Sequence, residues 1–247
     1  MSQIWDADKY VNHASFVASH GEPVVELLQP RKGERILDLG CGDGALTKKL
    51  EGFGASMHGV DSSPSMIETA QKRGLSAEVL NGESLHFSNE FDAVFSNAAI
   101  HWMKDHQQVI QRVHKALKAQ GRFVGEFGGE GNIHALISGM QFVFDSHQDF
   151  GDFVNPWHFP SVEKFKANLE INGFSVTYIE LIPRPTTLES GVQEWLKIFS
   201  NGITTDLNEA QKAIFLTEVE EQLKPKLFRD NQWIADYVRL RFSAVKI

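Results

Sequence analysis

Hydrophobic and polar residues recur along this chain with two different spacings, which alternate from one segment to the next. Short apolar segments of strand length alternate with longer segments in which apolar residues recur every three or four positions, as on one face of a helix. The clearest helix is predicted over 107–119. Strands are predicted at 36–39, 56–60, 77–80, 91–96, 121–127, 175–182 and 237–245. The alternation predicts an α/β fold, a doubly wound Rossmann-like sheet with helices on both faces.

Two segments interrupt the alternation, 128–160 and 188–231. The first contains a helix-like run followed by clustered aromatics, and the second predicts two helices with Pro225 after the second. These helical insertions have two interpretations, extra packing on the sheet or a lid over a substrate, because ligands of such sheets bind beyond the carboxyl ends of the strands. With a helical cap predicted over 1–30, the chain 1–247 is predicted to form one domain. The insertion helices are predicted at 133–144, 192–199 and 208–223, and the aromatics are Phe150, Phe153, Trp157 and Phe159.

The most informative segment joins a strand to a loop with three alternate glycines, Gly40, Gly42 and Gly44. Glycine tolerates positive φ and has no Cβ, so such a loop lets a ligand approach the backbone. Its pattern, D-x-G-x-G-x-G, differs from the G-x-G-x-x-G of dinucleotide-binding loops. Asp38, two residues before the first glycine, is a poor neighbour for a phosphate and a good acceptor for a cationic amine. The loop therefore indicates a ligand with an amino group and no phosphates.

The second predicted strand, 56–60, leads into Asp61, 23 residues after Asp38. A carboxylate here is suited to accept hydrogen bonds from both hydroxyls of a ribose. In these motifs the chain resembles the class I S-adenosylmethionine-dependent methyltransferases, most strongly over 36–127. The resemblance implies a seven-stranded sheet whose last strand is antiparallel and lies beside the fifth. It also implies S-adenosylmethionine as cofactor and S-adenosylhomocysteine as product.

The resemblance assigns residues around the cofactor. Asp38 is expected near its methionine end, Asp61 on the ribose, and Met66 over the adenine. Asn81 stands where the family commonly has an acid, and its amide oxygen can still accept a hydrogen bond from the adenine amino group. Cys41, the single cysteine, is interpreted as a small spacer in the glycine loop. The complete predicted cofactor-binding set is Asp38, Gly40, Cys41, Gly42, Asp61, Ser62, Met66, Asn81, Gly82, Glu83 and Asn97.

The candidate catalytic residues are His101, Tyr10 and Arg184. His101 follows the fourth predicted strand, where the family places residues beside the transferable methyl group; it is interpreted as a base, as a group that orients a substrate oxygen, or as a histidine bonded to backbone. A hydroxyl acceptor would require a base. A carboxylate, with a reference pKa of about 4, is already ionised and needs only a cationic or hydrogen-bonding clamp, for which Arg184, just beyond the sixth predicted strand, and Tyr10 are further candidates. No metal site is predicted.

The charge composition of the chain indicates which classes of molecule it does not bind nonspecifically. The net charge of −8, from 24 basic and 32 acidic residues, counts against nonspecific binding to nucleic acid or to an anionic membrane. The segment after the fourth strand also lacks the Asn-Pro-Pro-aromatic motif of enzymes that methylate nucleobase or glutamine amides. No apolar run has the length of a membrane span, and residues 1–6 show no secretory signal, so a cytoplasmic protein is predicted.

The segments 96–106 and 155–161 are similar to the trans-aconitate methyltransferase group, whose members methylate a carboxylate oxygen. We therefore expect methyl transfer to an oxygen of a small-molecule acid, with a carboxylate preferred over other oxygens. Three alternatives stay open. The acceptor could be a carrier-bound malonyl thioester or another small metabolite; the chain could be a nicotinamide oxidoreductase, which the loop pattern disfavours; or it could be a non-catalytic cofactor-binding module.

Overall fold

A mixed sheet organises residues 21–247, the part of the chain that the computed structural model describes. Its strands are β1 (Arg35–Leu39), β2 (Ser56–Asp61), β3 (Ala77–Val79), β4 (Phe91–Asn97), β5 (Leu117–Gly128), β6 (Phe174–Thr187), β7 (Phe228–Arg229) and β8 (Gln232–Lys246). The order is β3-β2-β1-β4-β5-β8-β6, with β7 paired to β8. Paired strands among β1 to β5 are parallel, whereas β8 is antiparallel to β5. The predicted antiparallel last strand beside the fifth is confirmed.

Helices follow most of the parallel strands. They are α1 (Glu22–Leu28), α2 (Ala45–Glu51), α3 (Pro64–Lys72), α4 (His106–Ala116), α5 (His134–Ser146), α6 (Val162–Ile171), α7 (Gly191–Phe199) and α8 (Glu209–Leu227). The prediction that the helix at 107–119 continues to residue 119 is wrong. Leu117 begins β5 because it pairs with Phe91 of β4, and both side chains are fully buried in the sheet core.

The two faces of the sheet are covered by separate hydrophobic cores. Successive side chains of a strand point to opposite faces, so neighbouring residues of β1 enter different cores. Ile36 packs in one core with residues of α1, and Leu37 packs in the other with residues of α4 and α6. Such two-sided burial is what a doubly wound sheet requires, and the predicted fold class is confirmed.

The described residues fall into two units. The sheet unit contains 21–130, Trp157–Ile182 and Arg239–Ile247, and the insertion unit contains Gly131–Pro156 and Pro183–Val238. The insertion unit therefore holds most of both predicted helical insertions. One domain over 1–247 stays a prediction, and most of the predicted cap, 1–20, lies outside the described residues. Among residues 21–247, no helix combines the length and the apolarity needed to cross a membrane.

Aromatic contacts within the insertion unit join α5 to α8. The ring of Phe144 lies 5.7 Å from those of Phe150, Phe153 and Phe215.

The prediction that α8 ends before Pro225 is wrong, because the helix continues to Leu227. Proline removes one intrahelical hydrogen bond, and in the last turn this loss affects the fewest residues.

Candidate cofactor and acceptor site

The three glycines after β1 all have positive φ, at 78° for Gly40, 55° for Gly42 and 79° for Gly44. A Cβ on Gly40 would lie 2.1 Å from the Cβ of Ala99, and one on Gly44 would lie 2.3 Å from Cδ1 of Leu75. A Cβ on Gly42 would meet no atom of residues 21–247 within 4 Å. Gly40 and Gly44 are thus required by internal packing, whereas Gly42 faces open space that a ligand can enter.

Asp61 at the end of β2 holds this loop in place. Its Oδ2 accepts a hydrogen bond from the backbone N–H of Gly42 at 3.0 Å, and its Oδ1 accepts one from the N–H of Ser63 at 2.9 Å. Burial raises the pKa of the carboxyl group above its usual value. Each oxygen keeps a further lone pair for a ligand hydroxyl, so the loop contact and ribose binding are compatible. Ser62, the neighbouring predicted residue, is exposed.

Asp38 lies on β1 with its side chain almost fully buried, at 2% exposure. Its Oδ2 accepts a hydrogen bond from the hydroxyl of Thr47 on α2 at 2.6 Å. Burial raises the pKa of Asp38 to about 7; the Thr47 bond opposes this shift and the charge of Asp61 adds to it. A cation beside Asp38 would stabilise its charged form. Thr47 was not among the predicted site residues, although its position on the helix that follows the glycine loop was a usable signal.

Cys41 lies between the glycines with its thiol turned into the protein. Its N–H and that of Gly40 both donate to the carbonyl oxygen of Val60, at 3.0 and 2.8 Å. A Cβ on Gly59 would lie 2.8 Å from its Sγ, so the thiol fills the space that this glycine leaves. Burial and the charge of Asp38 raise the pKa of Cys41, which keeps the thiol protonated. These contacts agree with its interpretation as a spacer.

The Asn81–Glu83 segment after β3 forms a turn with its own hydrogen bonds. The amide oxygen of Asn81 accepts from the N–H of Glu83 at 3.0 Å. Oε1 of Glu83 accepts from the N–H groups of Lys104 and Asp105 at 2.8 and 3.0 Å, just before α4. A Cβ on Gly82 would lie 2.8 Å from Sδ of Met103. Local structure therefore accounts for all three residues, and their contact with adenine stays a prediction, as does that of the buried Met66.

The loop after β4 carries Asn97 and His101. Ser96 fixes its origin by donating from its hydroxyl to the carbonyl oxygen of Leu39 at 2.7 Å, which ties β4 to the end of β1. Ala98 has φ of 56° and donates its N–H to the carbonyl oxygen of Glu126 at 2.7 Å. Asn97 is half-buried at the strand end. The loop thus starts beside the strand that carries Asp38.

His101 lies in a short 3₁₀ helix, Ile100–Trp102, and is 6% exposed. Its Nδ1 accepts a hydrogen bond from the backbone N–H of Gly128 at 3.2 Å. Burial holds the pKa of His101 well below its usual value, and the charge of Arg239 lowers it further. The ring is therefore neutral, with its proton on Nε2, which can only donate. The hydrogen bond from Gly128 agrees with the interpretation of His101 as a histidine bonded to backbone, and its role toward a substrate oxygen stays a prediction.

A row of polar residues across β4, β5 and β8 was not predicted from the sequence. Asn97 is the register partner of Glu126, which is the register partner of Arg241. Nε of Arg241 donates to Oε2 of Glu126 at 2.7 Å, and Glu126 is 2% exposed. One row further out, Gly128 pairs with Arg239, which is 8% exposed. Burial of these charges is the distinctive feature of this edge of the sheet.

The two other candidate catalytic residues are Arg184 and Tyr10. The prediction that Arg184 lies beyond the sixth strand is wrong, because β6 extends from Phe174 to Thr187 and includes it. Arg184 is half-buried and belongs to the insertion unit, whereas His101 belongs to the sheet unit. Tyr10 lies outside the described residues. In the part of the chain described, no cluster of three or more histidine, cysteine or acidic side chains is arranged to hold a metal ion.

Comparisons with known proteins show what this chain is similar to. A family model described as a methyltransferase domain matches residues 37–125. An uncharacterized methyltransferase of Schizosaccharomyces pombe is 36% identical over 254 residues, which cover 98% of both chains. A trans-aconitate 2-methyltransferase of Mycolicibacterium gilvum is 34% identical over 209 residues, 78% of each chain. The crystal structure of the YcgJ protein of Bacillus subtilis superposes with a TM-score of 0.65 at 18% identity, covering 91% of this chain and 97% of that one.

Proposed function

The chain belongs to the class I S-adenosylmethionine-dependent methyltransferases, and from that premise we propose that it methylates a carboxylate oxygen of a small-molecule acid. The observation that carries this proposal is the hydrogen bond from the Gly128 N–H to Nδ1 of His101. A ring held neutral with its proton on Nε2 is a donor and not a base. A carboxylate acceptor is already ionised at neutral pH, so it needs such a donor and no base.

Residues of the sheet unit fit the cofactor. When bound, S-adenosylmethionine supplies an electrophilic methyl group on a sulfonium centre. The space that the described residues leave beside Gly42 supports approach of the adenosyl group to the backbone, and Asp61, which binds the Gly42 N–H, can accept from the ribose hydroxyls. The deep burial of Asp38 at the switch point between β1 and β4 supports its proposed role as the acceptor of a hydrogen bond from a cationic amine. We assign the remaining predicted cofactor contacts, including Asn97, on the family resemblance.

The acceptor needs little more than orientation. Attack on a sulfonium methyl group neutralises charge, so a water-poor site favours it, and alignment of the attacking oxygen supplies much of the acceleration. Nε2–H of His101 can donate to one oxygen of the acceptor carboxylate and leave the other to attack. Arg184 and Tyr10 stay candidate clamps for the acid. The name of the Mycolicibacterium gilvum relative supports trans-aconitate as the first acid to try.

The test is a comparison of matched acceptors. Purified protein is supplied with S-adenosylmethionine and with trans-aconitate, its trimethyl ester, a malonyl group on a carrier protein, or a simple alcohol, and S-adenosylhomocysteine is measured. We expect turnover with the free acid and none with the ester or the alcohol. Turnover confined to the malonyl carrier would change the acceptor class, and turnover confined to the alcohol would overturn carboxylate transfer. Asp61→Ala is the control, because it should abolish turnover through loss of cofactor binding.

A further inference from the structure

Thr47 is the polar residue on the buried face of α2. It is fully buried, as is Leu50 three residues later on the same face of the helix. Leu50 packs in the same hydrophobic core as Ile36 of β1. Asp38 shares the sheet face of Ile36, because it lies two residues further along the strand, and Thr47 faces it from the helix. An apolar side chain would be enough for packing at position 47, so the buried hydroxyl group needs a separate reason.

The hydroxyl group of Thr47 is directed at Asp38 and not at the backbone of its own helix. Threonines in helices commonly donate their one proton to the carbonyl oxygen four residues earlier. Thr69 on α3 and Thr217 on α8 do so, each at 3.0 Å. Thr47 instead donates to Oδ2 of Asp38 at 2.6 Å, a distance typical of a hydroxyl group that donates to an ionised carboxylate.

The other groups around Asp38 favour its neutral form. Burial is the largest cause of its raised pKa, and the charge of Asp61 adds to it. Burial and the nearby carboxylates also raise the pKa of Cys41, so its thiol is neutral and supplies no compensating charge. Within residues 21–247, the hydrogen bond from Thr47 is the only one that the Asp38 side chain accepts, and it opposes these effects. The anion that a cationic amine requires is therefore supported by one hydroxyl group.

We propose that Thr47 is a positioning residue for the cofactor: its hydroxyl group holds Oδ2 of Asp38 and leaves the rest of the anionic carboxylate for the amine of S-adenosylmethionine. Thr47 acts through Asp38 and does not itself touch the cofactor. The inference rests on the proposed contact between Asp38 and the amine. It does not depend on which molecule accepts the methyl group, so the failure of carboxylate methylation would leave it unchanged.

The test measures the affinity of wild type, Thr47→Val and Thr47→Ser for S-adenosylmethionine by calorimetry between pH 6 and pH 8.5. Valine has nearly the shape of threonine and no donor. Its introduction should raise the pKa of Asp38 by about one unit, since a hydrogen bond to a charged group is commonly worth at least that much. The ratio of wild-type to variant affinity at each pH is the informative quantity, because ionisation of the amine affects both proteins equally.

We expect Thr47→Val to bind about tenfold more weakly than wild type at pH 6 and within about twofold of it at pH 8.5, where Asp38 is ionised in both proteins. Thr47→Ser keeps the donor and should follow wild type at every pH. Thr217→Val is the matched control, because it removes a helical hydroxyl group of the insertion unit, and its ratio should stay near one. A loss of affinity in Thr47→Val that is the same at every pH would indicate a packing role alone and overturn the inference.

Asp38→Asn separates failure of the inference from failure of the contact on which it rests. If Asp38→Asn keeps the pH dependence of wild type, Asp38 does not bind the amine and the role of Thr47 falls with it. If Asp38→Asn loses that dependence while Thr47→Val keeps wild-type affinity, the role of Asp38 holds and that of Thr47 is overturned. In the Asp38→Asn background, Thr47→Val should have no pH-dependent effect. Denaturant unfolding checks that each variant is folded, and Thr47→Ala, with the same expected ratios, replaces Thr47→Val if the valine variant does not fold.

Discussion

Nδ1 of His101 accepts a hydrogen bond from the backbone N–H of Gly128, 3.2 Å away. The last residue of β4, Asn97, pairs with Glu126 of β5. Gly128 therefore lies two residues beyond the last residue of β5 that pairs with β4. The imidazole ring takes the place that a further β4 carbonyl would occupy. One of the two ring nitrogens is thereby committed to the scaffold, and the chemistry available to His101 is set by the other.

Replacement of His101 distinguishes a donor from a base. We expect His101→Ala to lower kcat/KM by about 100-fold, the usual effect of removing one positioned donor, with the Kd for S-adenosylmethionine changed by less than about threefold. His101→Gln keeps an N–H donor and cannot act as a base, so it should recover part of the lost activity. Steady-state kinetics and calorimetry check these values. Loss of cofactor affinity alone, or a Gln variant as inactive as the Ala variant, would contradict the donor role.

Cofactor affinity should depend on the ionisation of Asp38. Because burial raises its pKa to about 7, the carboxyl group is protonated below that pH and charged above it. A cationic amine binds the charged form, so affinity should fall about tenfold for each pH unit below 7. Calorimetric titration with S-adenosylmethionine between pH 5.5 and 8.5 measures this slope.

Asp38→Asn provides the control for that titration. It is close in size and cannot ionise, so the variant should bind weakly and with no slope below pH 7. A variant that keeps the slope of the wild type would assign it to a different group and contradict the role of Asp38.

Alanine substitutions at two glycines of the loop after β1 should have different effects, one on stability and the other on cofactor binding. Gly40→Ala places a Cβ 2.1 Å from the Cβ of Ala99, and this overlap should destabilise the protein by several kcal/mol. The added Cβ of Gly42→Ala meets no atom of the described residues within 4 Å, so this variant should cost only the roughly 1–2 kcal/mol of a left-handed φ while it blocks the ligand. Denaturant unfolding and S-adenosylhomocysteine binding separate the two effects. A Gly42→Ala variant with wild-type affinity would show that the cofactor does not use this opening.

Protonation of His106 in mild acid should lower the free energy of unfolding. Its pKa is lowered to about 4, chiefly by burial and then by the stacked His158 ring, 4.3 Å away. Since the folded pKa lies below the unfolded value of about 6.5, the stability that neutral His106 provides is present above pH 6.5 and is lost as the pH falls toward 4. Between pH 7 and pH 5 the loss should be about 2 kcal/mol.

The raised pKa of Asp38 acts in the opposite direction over the same range, so the total stability of the wild type does not isolate this effect. The useful quantity is the difference in unfolding free energy between wild type and His106→Phe. We expect that difference to shift by about 2 kcal/mol in favour of the variant as the pH falls from 7 to 5. A difference that is constant across this range would contradict the assignment.

The cofactor loop could be predicted because its signals are local. An apolar strand, three glycines with positive φ and a second acid 23 residues later all lie within one short segment. Arg239 could not be predicted in this way. Its burial depends on β8 inserting between β5 and β6, a pairing that joins Gly128 to a residue more than 100 positions later. Arg184 was chosen for its place at a strand end, and β6 proved longer than its apolar pattern.

The most direct measurement is the identity of the methylated product. Wild-type protein is incubated with trans-aconitate and S-adenosylmethionine carrying a ¹³C-labelled methyl group, and the product is examined by NMR before and after treatment with alkali. We predict a methyl ester on one carboxylate, which alkali hydrolyses to labelled methanol and the original acid. A labelled product whose methyl group survives alkali, on carbon, nitrogen or a hydroxyl oxygen, would contradict carboxylate methylation.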